Sequence, residues 1–201
     1  MVKAVDDFSD HRIEVPLRVD FPTTAVLVVD MLNDFINEAG AMPLPIARRL
    51  YGPIRDLLDA ARGSGATVLW LNDRHEPDDS EFRKRTPHCI AGTWGAQVVS
   101  ELEPPAAEVQ LAKTRYSGFY RTDLEERLTS ASIGQLVVVG IATNICVRST
   151  IHDAFFRDFD VIVPSDCVSA TSEREQASTL YDIDTHYGTV CTLKELLSAR
   201  A

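Results

Sequence analysis

Leu136-Val137-Val138-Val139-Gly140-Ile141-Ala142-Thr143-Asn144-Ile145-Cys146-Val147 is the stretch whose reading decides the fold. Its apolar start is short, unbroken and rich in β-branched residues, which suits a strand buried on both faces. Gly140 ends that run, and helical periodicity follows from Val147 to Phe156, so the stretch reads as strand–turn–helix. Such a unit places Cys146 at the carboxyl edge of a parallel sheet, beside a helix N-terminus. There the helix dipole and free backbone N–H groups are expected to lower a thiol pKa and to hold an oxyanion. A cysteine so placed can attack a carbonyl. The alternative is a small buried hydrophobe, which is what most free cysteines are.

Working outward, strands and helices alternate. Strands are expected over 25–29, 67–71, 109–112, 136–139, 161–163 and 190–191, and helices over 46–62, 123–130, 147–156, 173–186 and 193–199. Apolar strands alternating with amphipathic helices predict an α/β fold, a Rossmann-like, six-stranded, mostly parallel sheet with helices on both faces. Ligands in such sheets bind beyond the carboxyl ends of the strands. Asp30, Asp73, Lys113 and the Cys146 turn all fall at such ends, a convergence that points to an enzyme. Residues 1–23 read as an N-terminal arm with one short extended piece at 12–19, and residues 24–201 as a single domain.

Composition narrows the function classes. A hydrophobic content of 45% supports a full core, and a net charge of −10 disfavours nucleic acid and anionic membranes as partners. No apolar run approaches the roughly 20 residues of a spanning helix, and the acidic start is unlike a signal peptide. Cys89, Cys146, Cys167 and Cys191 are far apart and form no CxxC, so reduced thiols and a cytoplasmic location are expected.

Asp30, Lys113 and Cys146 suit one another chemically. A thiol must lose its proton before attack, a carboxylate can take it, and an ammonium group favours both anions. Each also has a structural alternative, a cap or turn for Asp30 and a solvated edge charge for Lys113. Their contexts shift the balance when taken as a set: Val28-Val29-Asp30-Met31-Leu32-Asn33-Asp34-Phe35, Lys113-Thr114-Arg115-Tyr116-Ser117-Gly118-Phe119 and Gly140 to Val147, in that order. Over about residues 22–197 the chain closely resembles the isochorismatase-like cysteine hydrolases, which include nicotinamidases and ureido-amide hydrolases. The resemblance implies a catalytic triad of Asp30, Lys113 and Cys146, a cis peptide between Ile141 and Ala142, and an oxyanion hole from the Ala142 and Cys146 amides. Many relatives carry Gln where this chain has Leu32, so the pocket wall is expected to differ there.

Asp73-Arg74-His75, with His88 further on, combines oxygen and imidazole donors suited to Zn²⁺, Mn²⁺ or Fe²⁺. The pattern is similar to the metal loop of nicotinamidases, which implies Asp73, His75 and His88 as ligands to a divalent metal, most readily zinc, with Glu81 as a candidate fourth. Asp78 and Asp79 compete for that role and are read as solvated loop charges. Phe35, Trp94, Tyr116 and Phe119 are expected to wall the pocket, and Trp70 to lie in the core. Arg115 is a candidate for a substrate carboxylate, with solvated pairing as its default.

Taken together, the resemblance implies hydrolysis of a small carboxamide through a thioester, with nicotinamide as the leading substrate. A linear ureido or carbamoyl amide is the alternative, and non-covalent isochorismate-type hydrolysis a third. The partner is expected to be a small-molecule amide, and relatives in the family imply a homo-oligomer.

Overall fold

The computed structural model describes residue 13 and residues 15–200. The chain runs through β1 (Thr24–Val29), α1 (Asn33–Ile36), α2 (Tyr51–Gly63), β2 (Thr67–Asp73), β3 (Val109–Lys113), α3 (Leu124–Ser130), β4 (Gln135–Ile141), α4 (Arg148–Phe155), β5 (Asp160–Pro164), β6 (Val168–Ser169), α5 (Glu173–Asp182), β7 (Thr189–Cys191) and α6 (Leu193–Ser198). Six strands lie side by side in the order β3-β2-β1-β4-β5-β7, and all their pairings are parallel. The expected six-stranded sheet gains a seventh member, because the two-residue β6 pairs with the end of β4 through Gly140 and Ile141. This strand follows directly on the turn Ser165–Cys167 with no apolar run of its own, so the sequence pattern does not reveal it.

Both faces of the sheet are covered, and this explains the continuous apolar runs. Along β1, Val26 and Val28 pack into a layer with Ile54, Leu57 and Ala61 of α2 and Leu196 of α6. The alternate residues Ala25, Leu27 and Val29 face Leu124 and Leu128 of α3 and Ile151 and Ala154 of α4. Strand side chains point to opposite faces in turn, so a strand between two helical layers must be apolar at every position. Trp70 is fully buried in β2, and its indole N–H donates to Glu108 Oε2 at 2.7 Å.

Strand order reverses between β1 and β4, the point at which an open α/β sheet forms a crevice. Gly140 stands beside that crevice with φ +105°. A Cβ there would lie 2.1 Å from the Val29 carbonyl oxygen, so only glycine lets β4 pass β1 at this point. Within the stretch read as an arm, Val19 bridges to Arg200, and Val19 and Phe21 are buried in the core. Residues 1–12 and 14, and with them part of the expected extended piece, lie outside the described residues. Among the described residues, no helix is long and apolar enough to cross a membrane.

Candidate active site

Asp30 leaves β1 in a left-handed conformation with φ +52°, uncommon for a side chain larger than glycine. Local bonds hold it there: its N–H donates to Leu71 O at 3.0 Å, its carbonyl accepts from the Leu32 N–H at 2.8 Å, and Oδ1 accepts from the Asp73 N–H at 2.8 Å. Lys113 ends β3, two strands away, and its ammonium group donates to Asp30 Oδ2 at 2.7 Å and to Asp73 Oδ1 at 2.5 Å. Cys146 lies in a single π-type turn, Thr143–Val147, that joins β4 to α4. Its Sγ and the carboxylates of Asp30 and Asp73 bring their ligand atoms within 4.8 Å of one another. Three strand ends and the nucleophile turn thus place Asp30, Lys113 and Cys146 in one cluster. The Ile141–Ala142 peptide is cis, and Ala142 and Cys146 line the same cavity.

The turn is braced from both sides. Thr143 Oγ1 donates to Gln176 Oε1 at 2.8 Å, and Asn144 and Thr171 exchange two hydrogen bonds. The buried Thr150 hydroxyl donates to the Cys146 carbonyl at 2.8 Å and accepts from the Gly118 N–H at 3.0 Å. It therefore ties the nucleophile turn to the loop that follows Lys113.

The electrostatics revise one expectation. Burial pushes the Cys146 thiol well above its usual pKa, and the opposing pull of Lys113 is offset by Asp30 and Asp73. The thiol is therefore protonated at rest, not poised as a thiolate by the helix dipole. Burial, followed by repulsion from Asp73, lifts Asp30 from 3.8 to about 6 against the pull of Lys113. Burial also works against ionised Asp73, but Lys113 and the facing imidazoles of His75 and His88 prevail and hold it well below the usual carboxylate range. Two adjacent carboxylates are thus driven apart, leaving Asp30 as the one that can accept and return a proton near neutrality.

A cavity of about 100 Å³ opens onto this cluster. Phe35, Met42, Leu44, Tyr116, Ile141 and Ile145 supply its apolar walls, and Asp30, Asp73, Cys146, Glu81, Arg85 and His88 its charged and reactive lining. Of the four expected walls, Phe35 and Tyr116 line this cavity. Trp94 and Phe119 do not. Trp94 sits on a surface turn and is half exposed, whereas Phe119 is buried in the helical layer against Phe159. Leu32, where the pocket wall is expected to differ, is buried in a small apolar cluster with Cys89 and Ala96 and does not line the cavity. Met42, Leu44 and Arg85 escaped the sequence reading because they come from aperiodic loops that fold over the strand ends.

Comparison with known proteins agrees with this geometry. The sequence model of the Isochorismatase domain matches residues 24–195. The chain belongs to the isochorismatase family. It is 32% identical to ureidoacrylate amidohydrolase RutB of Caulobacter segnis, over 88% of this chain and 85% of that protein. Among solved structures, N-carbamoylsarcosine amidase from Thermoplasma acidophilum superposes with a TM-score of 0.78 at 36% identity, over 85% of this chain and 96% of that one. The pyrazinamidase of Pyrococcus horikoshii in complex with zinc superposes with a TM-score of 0.79 at 26% identity, covering 85% and 99%. Family membership makes this chain a hydrolase of non-peptide carbon–nitrogen bonds, of the cysteine amidohydrolase type.

Beside the triad, Asp73, His75 and His88 form a buried three-ligand cluster. Asp73 Oδ1 is held by Lys113, and Oδ2 faces the Nε2 atoms of both histidines at 3.8 Å, too far for a direct hydrogen bond. Each histidine is anchored through its other nitrogen, His75 Nδ1 against Asp79 Oδ2 at 3.1 Å and His88 Nδ1 against the Thr86 carbonyl at 2.7 Å. His75 Nε2 is buried and has no hydrogen-bond partner among the described residues. Imidazoles anchored at Nδ1, with Nε2 atoms converging on a carboxylate, fit a divalent cation. Glu81 lines the cavity but is not part of this cluster. Asp79 was read as a solvated loop charge, yet its side chain is mostly buried and bonds both His75 and Arg115.

Proposed function

We propose that this chain hydrolyses a small, acyclic ureido acid through an S-carbamoyl (thiocarbamate) intermediate on Cys146. The observation that carries this choice is Arg85. Arg85 is an exposed residue at the rim of the cavity that holds Cys146, and among the described residues its side chain makes no hydrogen bond or ion pair. An unpaired guanidinium beside an otherwise acidic and apolar lining suits a substrate carboxylate, which it can bind through two parallel N–H bonds. The likeness to ureidoacrylate amidohydrolase and N-carbamoylsarcosine amidase supports the same class.

In this reading Asp30 takes the Cys146 proton as Sγ attacks the ureido carbonyl. A C–S bond forms and the oxyanion is received by the Ala142 and Cys146 amides. As the C–N bond breaks, Asp30 passes its proton to the departing amine. Asp30 then removes a proton from water, which attacks the S-carbamoyl carbon. Sγ leaves and is reprotonated from Asp30, and the freed carbamate decomposes to carbon dioxide and ammonia. Lys113 keeps its proton throughout, because two buried carboxylates raise its pKa despite burial. A divalent cation held by Asp73, His75 and His88 would supply a Lewis-acidic anchor for a donor atom of the substrate.

That cluster favours a second substrate class, pyridine carboxamides such as nicotinamide, whose ring nitrogen is a metal donor. The two classes are separated by a substrate panel with metal-replete protein: N-carbamoyl acids and ureidoacrylate on one side, nicotinamide on the other, each beside Cys146→Ala. Ammonia release from the ureido acids, lost by about 10⁴-fold or more in the mutant, is the expected result. Release from nicotinamide alone would transfer the assignment to the second class. Release that survives in Cys146→Ala would overturn covalent catalysis.

A further inference from the structure

The Asp79 carboxylate is the meeting point of three sets of bonds. Oδ1 accepts from the Glu81 N–H at 2.9 Å, which caps the short turn Ser80–Arg83. Nη1 of Arg115 donates to Oδ1 at 3.0 Å and to Oδ2 at 3.1 Å, and its Nη2 donates to Ser80 Oγ at 2.9 Å. Oδ2 also lies 3.1 Å from His75 Nδ1. An ionised carboxylate can only accept, so the hydrogen in that last contact sits on Nδ1. A neutral His75 then has its lone pair on Nε2, the buried atom that faces Asp73 with no hydrogen-bond partner among the described residues. Arg115 lies two residues past Lys113, so the ion pair also ties the loop after β2 to the end of β3.

We propose that Asp79, itself fixed by Arg115, is the positioning residue that sets the tautomer and ring orientation of His75 for a divalent cation held with Asp73 and His88. This rests on the assignment of those three residues as the cation's ligands. It goes beyond them by naming what prepares one of them. Capping alone would also place a carboxylate at position 79, and the two roles can be separated. Serine keeps an acceptor for the Glu81 N–H but is too short to reach His75 or Arg115.

The test is titration of the metal-free full-length protein with Zn²⁺ against a chromophoric chelator, with Co²⁺ absorption spectra as a second readout. Wild type is expected to bind one equivalent. Asp79→Ser should keep its circular dichroism spectrum, lose about 10–100-fold in affinity and show altered Co²⁺ ligand-field bands. If Asp79→Ser does not fold, Arg115→Ala decides, since it leaves the capping carboxylate in place; a loss of about threefold or more is expected. Wild-type affinity in Asp79→Ser, or in Arg115→Ala where that variant decides, would overturn the positioning role while leaving the cation site intact. A wild-type protein that binds no cation would overturn the site and the proposal together.

Discussion

Replacing Asp30 with asparagine separates the chemistry of the buried cluster from its electrostatics. Asp30, Asp73 and Lys113 are each almost wholly buried, so with both carboxylates ionised the trio holds a net negative charge away from water. Asp30 rises from 3.8 to about 6 on folding, first through burial and then through Asp73. A carboxylate whose pKa rises on folding binds more protons in the native state. Its contribution is therefore fully present below pH 3.8 and is lost as pH rises through about 6. At about 1.4 kcal/mol per pH unit, the loss over that interval is about 3 kcal/mol. Asparagine is isosteric, cannot ionise, and keeps an oxygen for the Asp73 N–H, but its NH2 replaces the oxygen that accepts from Lys113 Nζ, a cost that does not vary with pH through the titration of residue 30. In metal-free protein the stability of Asp30→Asn relative to wild type should therefore rise by about 3 kcal/mol between pH 4 and pH 8, or roughly 10 °C in Tm. Near pH 4 only the cost of the lost Lys113 contact should remain. Urea and thermal unfolding at several pH values measure this, and histidine titrations common to both proteins cancel in the difference. Hydrolysis should fall by about 10²–10⁴-fold, because the general base is gone. Destabilisation of Asp30→Asn that grows with pH would refute the reasoning, since it would mean that Lys113 outweighs burial and ionised Asp30 stabilises the fold.

Lys113→Met should do the opposite, leaving two facing carboxylates without their cation and costing about 3–5 kcal/mol in urea unfolding of the metal-free protein at neutral pH; a loss below about 1 kcal/mol would show that the ammonium is dispensable to the fold. Thr150→Val keeps the shape but removes the hydroxyl between the Cys146 carbonyl and the Gly118 N–H, so stability should fall by about 1–3 kcal/mol and kcat should drop more than KM changes. Unchanged kcat in a folded Thr150→Val protein would show that the nucleophile turn does not depend on this bond.

The architecture was legible because it rests on local signals. Buried parallel strands announce themselves as short apolar runs, and Asp30, Asp73, Lys113 and Cys146 each stand immediately beyond or within the turn after such a run, so a linear pattern placed all of them on one edge. The order of the motifs then identified the family that the domain match supports. Helix termini were less legible. The stretches 147–156 and 173–186 each end or begin in a wide π-type turn, Thr143–Val147 and Ile183–Tyr187, that hydrophobic periodicity does not separate from an α-helix.

By itself the sequence determined that a thiol, a carboxylate and an ammonium group share the carboxyl edge of one sheet, because backbone periodicity and strand polarity are local properties. What each group does there was decided only by the tertiary structure. Whether a thiol ionises, which of two aspartates can carry a proton, and whether Asp79 meets water or His75 all depend on burial and on partners brought together from separate segments of the chain. Trp94 and Phe119 show the same limit in the pocket: adjacency in sequence to the reactive residues put them near the site, but the direction of each side chain came from packing that no single segment encodes. Charges and contacts that act through space are fixed by the assembled fold, and a linear pattern can locate their bearers without assigning their states.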